Sequence, residues 1–458
     1  MIRKFIQKVL GRRAAAPAVP SEPEVIALDR HGVRRARISS SARRVTETLQ
    51  AQGYKAYVVG GAVRDLMLER EPKDYDVATD ATPEQVHAVF RRSRIIGRRF
   101  RLVHVMFGAE MVEVSTFRAL QVGDGDEAQV KDEHGRLLRD NVFGSQAEDA
   151  IRRDFTVNAL YYDPATEQVL DYCGGVRDVG ARTLRIIGEP EVRYREDPVR
   201  MLRAVRLAAK LGLEIERGTC EPIRRLGPLL QNVPPARLFE EMLKLLMSGH
   251  AVASLGRLRA EGLHHGVLPM LDVILEQPLG ERFVMLALER TDERIRADKG
   301  VSPAFLFAAL LWHEVLAAWN GLRESGTPPV PAMHEAMDQV LSVQAEKIAI
   351  PRRYGVDMKE IWLMQWRLDQ RTGRRAWRLL EHPRFRAGYD FLLLRCDSGE
   401  IDGAIGQWWT RFQEAGEDER AELVAALDAP AAGRRRRRRR SGRGPAEGEA
   451  GAAPAQSG

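Results

Sequence analysis

The 458-residue sequence is poor in cysteine and has no long apolar run. Its three cysteines, Cys173, Cys220 and Cys396, lie far apart and form no C-x-x-C pair, so we expect neither a disulfide framework nor a structural zinc site. No run of 18 or more apolar residues occurs, and the basic start MIRKFIQKVLGRR lacks a convincing signal cleavage site. These absences predict a cytoplasmic protein without a membrane span.

The net charge of +7 is concentrated at the two ends of the chain. Residues 1–40 carry nine Lys and Arg against three acidic residues, and residues 431–458 carry eight Arg against two Glu. Basic ends attract polyanions without specifying which one. We expect residues 1–40 to form a mostly disordered basic arm and residues 429–458 to form a disordered arginine-rich tail.

The hydrophobic pattern changes from mixed to helical near residue 190. Before that point, strand-like and helix-like segments alternate, which is typical of a mixed α/β unit of modest size. We expect a mobile loop over residues 118–150 and a strand over residues 156–162. From about 190 to 425 the apolar positions recur at helical spacing, which predicts an all-helical second half.

An apolar run ends in two glycines at residues 58–65, which read VVGGAVRD. Gly60 and Gly61 allow close backbone approach, and a helix that follows them offers free N–H groups to anionic oxygens. Arg64 adds a cation on the first helical turn. The pattern suits a polyphosphate cradle, although for two glycines taken alone a tight strand-to-helix turn is the favoured interpretation.

Two carboxylates follow one residue apart in the segment KDYD. On a strand, Asp74 and Asp76 point to the same face, where they repel each other unless a cation lies between them. Paired carboxylates of this kind hold metal ions in enzymes that transfer nucleotides. A third carboxylate would help, and Glu113, in an apolar strand, is the best candidate. Asp154, in RRDF, is its rival, but it could instead bind a ribose hydroxyl or anchor the two arginines, and spacing does not separate these roles.

A third charged segment, EDPVRMLRAVR, occupies residues 196–206. Arg200, Arg203 and Arg206 are three residues apart and therefore share one helix face, where fork-shaped cations can hold phosphates. Asp197 is close enough in sequence to reach Arg200, and an acid–arginine pair offers an acceptor and donors to a base edge. The alternative interpretation is a solvated charged face.

Together these motifs resemble the class II nucleotidyltransferases, a family that comprises bacterial poly(A) polymerases and CCA-adding enzymes. The matching segments are VVGGAVRD, KDYDVATDATPEQV, RRDFTVNAL and EDPVRMLRAVR, in family order. The resemblance implies an α+β nucleotidyltransferase head with a mixed sheet over residues 41–180. It also implies an all-helical remainder, with a neck over 181–250 and a body and tail over 251–428.

The resemblance also implies roles for individual residues. Asp74 and Asp76 would be the ligands of two Mg²⁺ ions, with Gly60, Gly61 and Arg64 near the triphosphate of ATP. Arg153 would contact the nucleotide. By position, Asp197 and Arg200 would read the incoming base, and Arg203 and Arg206 would lie near the nucleotide phosphates.

The segment IIGRRFRLVHV, residues 95–105, resembles the poly(A) polymerase branch, because two arginines follow its glycine. CCA-adding enzymes tend to have small residues there. We therefore expect Arg98 and Arg99 to contact RNA. The seven-arginine run 434–440, which includes Arg434, Arg437 and Arg440, is expected to bind RNA phosphates as well.

The sequence thus predicts a template-independent adenylyltransferase that adds AMP from ATP to RNA 3′ ends and promotes RNA processing and decay. RNA-decay or RNA-chaperone proteins are possible partners. A CCA-adding enzyme is the alternative within the family. A non-catalytic RNA-binding adaptor is the alternative from another class, and the intact aspartates and glycines argue against it.

Overall fold

The computed structural model describes residues 22–97, 101–120, 129–131, 137–140, 142–263, 278–347 and 350–428. Five residues predicted to contact RNA lie outside these ranges: Arg98, Arg99, Arg434, Arg437 and Arg440.

An eight-stranded mixed sheet forms the first half of the chain, in the order β1-β10-β9-β2-β3-β6-β5-β4. All neighbouring strands in it are antiparallel except β3 and β6, which are parallel. β7 and β8 form a separate two-stranded ribbon. The strands are β1 Glu24–Ile26, β2 Ala56–Val59, β3 Asp76–Thr79, β4 Ser93–Ile96, β5 Leu102–Phe107, β6 Glu110–Thr116, β7 Gln129–Lys131, β8 Leu137–Asp140, β9 Leu160–Asp163 and β10 Gln168–Asp171.

Short helices pack around this sheet: α1 Leu28–His31, α2 Ser40–Ala51, α3 Gly61–Met67, α4 Pro83–Val89, α5 Gln146–Arg152 and α6 Gly175–Gly180. Their starts follow local chemistry. Ser39 Oγ accepts a hydrogen bond from the Ala42 amide at the start of α2, and Thr82 and Gln85 form a capping box on α4. Helices α2 and α4 cover one face of the sheet and bury a row of valines, among them Val77 and Val114.

The described part of the predicted basic arm is folded rather than disordered. Strand β1 pairs with β10, and Ile26, Val33 and Ile38 are at most 2% exposed in the main core. These apolar side chains are separated by basic residues. The segment therefore lacks the hydrophobic periodicity from which a buried helix or strand is predicted. Residues 1–21 lie outside the described residues.

Two local predictions in the head are wrong. Residues 146–150 belong to helix α5, which a Ser145–Glu148 capping box starts, and not to a mobile loop. Residues 156–158 form a 3₁₀ turn, Thr156–Asn158, and the strand begins only at Leu160. Thr156 Oγ1 donates a hydrogen bond to Asp178 on α6, a tertiary contact that overrides the strand preference of the sequence.

The second half is helical, as predicted, apart from the short parallel pair β11 Thr183–Leu184 and β12 Glu214–Ile215. The helices are α7 Pro190–Glu196, α8 Val199–Leu211, α9 Arg217–Leu226, α10 Pro235–Leu246, α11 Ala251–Ala260, α12 Pro278–Arg296, α13 Pro303–Glu324, α14 Pro329–Lys347, α15 Arg352–Leu368, α16 Arg375–Leu380, α17 Phe385–Ser398, α18 Gly403–Glu414 and α19 Glu417–Asp428. Two 3₁₀ turns complete the elements, Arg35–Arg37 near the start and Gly227–Asn232 after α9.

By length and composition, helix α13 could cross a membrane, and half of its most apolar window is buried in the protein. Ten of its residues are buried, including Trp312 and Val315. Trp362 of α15 donates a hydrogen bond from its indole Nε1 to the Ala308 carbonyl oxygen, 3.0 Å away. The apolar character of α13 is accounted for by packing among its neighbouring helices.

Candidate active site between the sheet and helix α8

The glycine turn brings the end of strand β2 close to an arginine. Gly60 adopts φ 71° and ψ −125°, a conformation that side chains disfavour, and its amide donates a hydrogen bond to the Leu160 carbonyl oxygen. A Cβ atom at Gly60 would lie 3.3 Å from Nη1 of Arg153. The first glycine of the motif is therefore needed for both the turn and the close approach of Arg153.

The predicted placement of both acids on one strand is wrong: Asp74 lies before the strand, and Asp76 lies beside a third acid across the sheet. Asp76 opens β3 and is the direct neighbour of Glu113 in the parallel β3–β6 register, while Asp74 precedes Asp76 by two residues. On the far side of Glu113, His104 Nε2 of β5 lies 3.7 Å from Oε2 of Glu113. From the sequence, Glu113 is the best candidate for the third acid, with Asp154 as its rival, and the structure brings Glu113 to Asp76.

Asp76 is exposed to the cleft, while protein atoms crowd around its carboxylate and reduce its solvation. This desolvation raises the pKa of Asp76 to about 6, with Glu113 and Asp74 raising it further and Arg153 opposing them. Within the described ranges, no three His, Cys, Asp or Glu side chains stand close enough together to hold a metal ion. Any ion at Asp74 and Asp76 therefore needs further ligands from water or substrate.

Asp154 is occupied by protein partners. Its Oδ2 accepts hydrogen bonds from Nε and Nη2 of Arg203 at 2.8 and 2.5 Å, and its Oδ1 accepts from the Asn158 side chain and the Phe155 amide. Burial opposes ionisation, but Arg203 and these hydrogen bonds outweigh it and hold the pKa of Asp154 well below its ordinary value. Asp154 thus holds Arg203 against the 3₁₀ turn.

Arg153 is fixed from behind by two side chains. Its Nη2 lies 3.0 Å from Oδ2 of Asp149, and its Nε donates to the Tyr161 hydroxyl at 3.1 Å. The Tyr161 hydroxyl in turn donates to the same Asp149 oxygen at 2.7 Å. Although burial disfavours the charge, Tyr161 and Asp149 raise the pKa of Arg153, so the guanidinium stays ionised.

Arg64 is 5% exposed and bonded within the protein. Its Nε and Nη2 donate to Oδ1 of Asp65 at 2.8 and 2.6 Å, and its Nη1 donates to the Asn158 side-chain oxygen. Asn158 therefore links Arg64 to Asp154, and Asp154 in turn binds Arg203. Sequence reasoning did not single out Asn158, although it lies inside the matching segment RRDFTVNAL.

Helix α8 presents its basic face to the glycine turn and buries the opposite face, which includes Met201, Leu202 and Val205. As the spacing predicted, Arg200, Arg203 and Arg206 all line one cleft. Burial lowers the pKa of Arg206, which lies 3.7 Å from Glu241 of α10. The helix thus places a row of three arginine side chains opposite Gly60.

The expected contact between Asp197 and Arg200 is wrong. Asp197 Oδ2 accepts from Nη2 of Arg237 on α10 at 2.6 Å, whereas Arg200 Nη1 donates to the Arg193 carbonyl oxygen and to Glu196. Asp197 has extended backbone, with φ −149°, between the end of α7 and the start of α8. Because it is not part of a continuous helix, the i to i+3 neighbour rule does not apply to it.

These residues enclose a cleft of about 480 Å³. It collects all eight residues predicted to bind nucleotide, together with Asp76 and Asp154. Asn158, Lys210, Arg237 and Glu241 also line it and were not predicted; Arg237 and Glu241 are four apart on α10, a helical spacing that could have indicated a shared face. The lining is Gly60, Gly61, Arg64, Asp76, Arg153, Asp154, Asn158, Asp197, Arg200, Arg203, Arg206, Leu207, Lys210, Arg237 and Glu241.

Seven cations against four carboxylates give this cleft an excess of positive charge, which suits a polyphosphate. Asp74 lines an adjoining cleft of about 530 Å³, which also contains Arg70 and Lys73. The two clefts share Gly61, Arg64, Asp76 and Lys210. The site therefore offers two charged compartments that meet at Asp76.

Three protein families match successive parts of the chain. "Poly A polymerase head domain" matches residues 56–185, "Probable RNA and SrmB- binding site of polymerase A" matches 212–275, and "Polymerase A arginine-rich C-terminus" matches 325–443.

Relatives and solved structures agree with these families. The chain is 45% identical to "Poly(A) polymerase I" of Escherichia coli O157:H7 over 95% of this chain and 96% of the relative, and 45% identical to that of Haemophilus influenzae over 84% and 87%. A "CCA-adding enzyme" of Bacillus licheniformis is 37% identical over only 51% of this chain and 56% of the relative. The structure of the Bacillus stearothermophilus CCA-adding enzyme in complex with CTP matches with a TM-score of 0.53 at 26% identity, covering 84% of this chain and 82% of that one.

The mixed sheet, the glycine turn and the cationic cleft define a template-independent type of nucleotidyltransferase head joined to a helical half. The chain belongs to the poly(A) polymerase family. The resemblance inferred from its motifs is thereby confirmed.

Proposed function

We propose that this chain is a polynucleotide adenylyltransferase that adds AMP from ATP to RNA 3′ ends without a template and so promotes RNA processing and decay. The observation that carries the proposal is near-full-length similarity to poly(A) polymerases, combined with a cationic cleft that ends at paired carboxylates. In the reaction, the RNA 3′ oxygen loses its proton and forms a bond to the α-phosphorus of ATP. The bond between the α-phosphorus and the oxygen that bridges it to the β-phosphate breaks, and pyrophosphate leaves.

Asp74 and Asp76 are the proposed ligands of two Mg²⁺ ions. The oxygen-only donor set suits Mg²⁺, which usually takes one or two carboxylates and completes its shell with water and substrate phosphates. The desolvated Asp76 carboxylate, next to Glu113, provides negative charge that a divalent cation would stabilise. When bound, the ions supply a lowered pKa for the attacking hydroxyl and neutralise charge on the leaving pyrophosphate.

We further propose Glu113, and not Asp154, as the third carboxylate. Glu113 is the strand neighbour of Asp76 and its side chain is 40% exposed toward the open side of the sheet. Asp154 already accepts hydrogen bonds from Arg203, Asn158 and the Phe155 amide. Releasing it to a metal would deprive Arg203 of its closest counterion and leave it with Glu241 at 3.8 Å, a cost that Glu113 does not incur.

The cationic side chains of the cleft are the proposed contacts of ATP. Gly60 and Gly61 let the triphosphate approach the backbone, and Arg64, Arg153, Arg203 and Arg206 would neutralise it. Asp197 and Arg200 remain the proposed readers of the base. Most of the rate acceleration would come from positioning and charge neutralisation, as expected for nucleotidyl transfer.

The deciding experiment offers the full-length protein a generic RNA and each of the four nucleoside triphosphates separately, in buffer that contains magnesium. Long adenosine tails with ATP alone support the proposal. Addition of a defined CCA end to tRNA lacking its terminus, with CTP and ATP and no tailing of the generic RNA, supports the CCA-adding alternative. Failure to incorporate any nucleotide supports a non-catalytic adaptor. Partnership with RNA-decay or RNA-chaperone proteins, and a cytoplasmic location, remain predictions.

A further inference from the structure

One face of strands β4, β5 and β6 is uncovered by any described helix and carries a row of polar side chains that starts at the active site. Register places Asp76 beside Glu113, Glu113 beside His104, and His104 beside Arg94. Side chains alternate along a strand, so these four point to the face opposite the buried valines under α2 and α4. The row runs from Asp76 to Arg94 at the edge of the sheet.

Apolar side chains flank this row on the same face. Met106 and Met111 are direct cross-strand neighbours, 39% and 41% exposed, and lie two residues from His104 and Glu113. Ile96, two residues from Arg94, is 36% exposed. Exposed large apolar side chains that gather in one place mark an interaction surface. We call the surface formed by Arg94, Ile96, His104, Met106 and Met111 the open face.

We propose that the open face binds the last nucleotides at the 3′ end of the RNA, an inference that rests on the proposed function. The sheet order puts the glycine turn after β2 on one side of β3, and β6, β5 and β4 on the other side. Both charged clefts include residues of the glycine turn, so an RNA end that approaches from the second side reaches Asp76 without occupying either cleft. The open face is the surface continuous with Asp76 on the second side.

The chemistry of the open face fits single-stranded RNA. Adjacent methionines present a flexible, polarisable surface on which a base can pack, and Arg94 and His104 supply hydrogen-bond donors to phosphate oxygens. A protein partner would account for the exposed apolar residues, but it would not account for the row of polar residues that ends at the carboxylates. The open face also lies outside residues 212–275, the part matched by the RNA-binding family, and so adds a second RNA contact at the reacting end.

A kinetic test uses triadenylate as the acceptor, because three nucleotides can reach little beyond the site of reaction. The variants are the double substitution Met106→Gln with Met111→Gln, and Arg94→Gln. The matched control is Val25→Gln, which alters a 52% exposed strand residue at the other edge of the same sheet. We expect KM for triadenylate to rise about tenfold in both variants, as for loss of one base or phosphate contact, with KM for ATP unchanged. Wild-type KM for triadenylate in both variants would overturn the inference, as would an equal rise in the control.

A second measurement needs no catalysis and therefore separates this inference from the proposed function. An RNA with 4-thiouridine at its 3′ end is irradiated with the full-length wild-type protein in EDTA, and the crosslinked peptides are identified by mass spectrometry. Crosslinks within residues 94–113, lost in the double methionine variant, are expected. Crosslinks confined to residues 212–275 would overturn the inference even if the enzyme makes tails. Failure of ATP incorporation with crosslinks at 94–113 would overturn the proposed function alone.

Discussion

At the scale of single residues, two aspartates of one cleft stand in opposite electrostatic situations. Asp154 has Arg203 as its counterion and a pKa held well below the ordinary value, whereas desolvation and Glu113 raise the pKa of Asp76 to about 6. At neutral pH the ionised form of Asp154 stabilises the folded state and that of Asp76 destabilises it. Asp154 is therefore a carboxylate that supports the structure. Asp76 is one whose charge is disfavoured by its position, which is common for catalytic groups.

Replacing Asp76 should therefore abolish activity without loss of stability. The pKa of Asp76 is 3.8 in the unfolded chain and about 6 in the folded protein. Its contribution to the free energy of unfolding is therefore fully present below pH 3.8 and is lost as the pH rises through about 6. Asp76→Asn removes this pH-dependent loss, so at pH 7 in EDTA the variant should melt at or above the wild-type temperature. AMP incorporation should fall by about 1000-fold or more, because a charge that neutralises the transition state is missing. A clearly lower melting temperature, or tailing near the wild-type rate, would contradict this account.

Replacing Asp154 should have the reverse effect on stability. Asp154→Asn removes the closest counterion of Arg203, whose Nη1 also lies 3.8 Å from Glu241. Because Arg203 is 33% exposed, we expect a cost of about 2–3 kcal/mol at pH 7, below that of a fully buried pair. The depressed pKa means that the stabilisation is present above the unfolded value of 3.8 and is lost as pH falls below it. The difference between urea midpoints of variant and wild type should shrink between pH 5 and pH 3. A difference independent of pH would show that the ion pair is not its source.

At the scale of elements, the 3₁₀ turn Thr156–Asn158 holds the cleft residues in place and is itself held by α6. A Cβ atom on Gly175 would lie 2.2 Å from the Thr156 carbonyl oxygen, so α6 can approach the turn only because this position is glycine. The turn carries Asn158, which bonds to Arg64 and Asp154. Close packing of α6 against the turn thus fixes three residues of the cleft.

Gly175→Ala should destabilise the protein by about 1–3 kcal/mol, because the backbone of the turn must move to admit the methyl group. The displaced Asn158 should also raise KM for ATP. The matched control is Gly180→Ala on the same helix, where a Cβ would meet nothing within 4 Å. Thermal melts and ATP titrations of both variants check this, and equal effects in the two would show that helix α6, and not the close contact, is responsible.

At the scale of the whole molecule, positive charge lies at both ends of the sequence and in the cleft, while residues 41–430 carry a small excess of negative charge. Such a distribution keeps the polyanionic substrates at the cleft and at the ends of the chain. The arginine run 434–440 falls within the matched arginine-rich C-terminal family, 325–443. Removal of this arginine run by truncation tests its role.

Removal of residues 431–458 should weaken RNA binding most at low salt and make the dependence of log K on log salt shallower, because fewer counterions are released from the RNA. Addition of a single nucleotide should be largely unchanged, whereas tails should become shorter. Fluorescence anisotropy across a salt series, with a product-length gel, measures both effects. An unchanged salt slope would show that the tail does not contact RNA.

The sequence predicted the cleft far better than the exact secondary structure. Helical spacing on α8 correctly grouped Arg200, Arg203 and Arg206, because i to i+3 neighbours follow from helix geometry alone. The same rule failed for Asp197, since an extended residue between two helices obeys no periodic geometry. The turn at Thr156–Asn158 was missed because its contact to Asp178 lies 22 residues away.

By itself, the sequence determined the residue types and the local spacings: glycines that allow a positive φ, two acids separated by one residue, and arginines on one helix face. Those features depend only on backbone geometry within a few residues. The tertiary structure alone decided that Glu113 is the neighbour of Asp76, that Asp154 pairs with Arg203, and that Arg237 holds Asp197. These choices depend on strand order and helix packing, which join parts of the chain that are about 35 to 50 residues apart and leave no local pattern to detect.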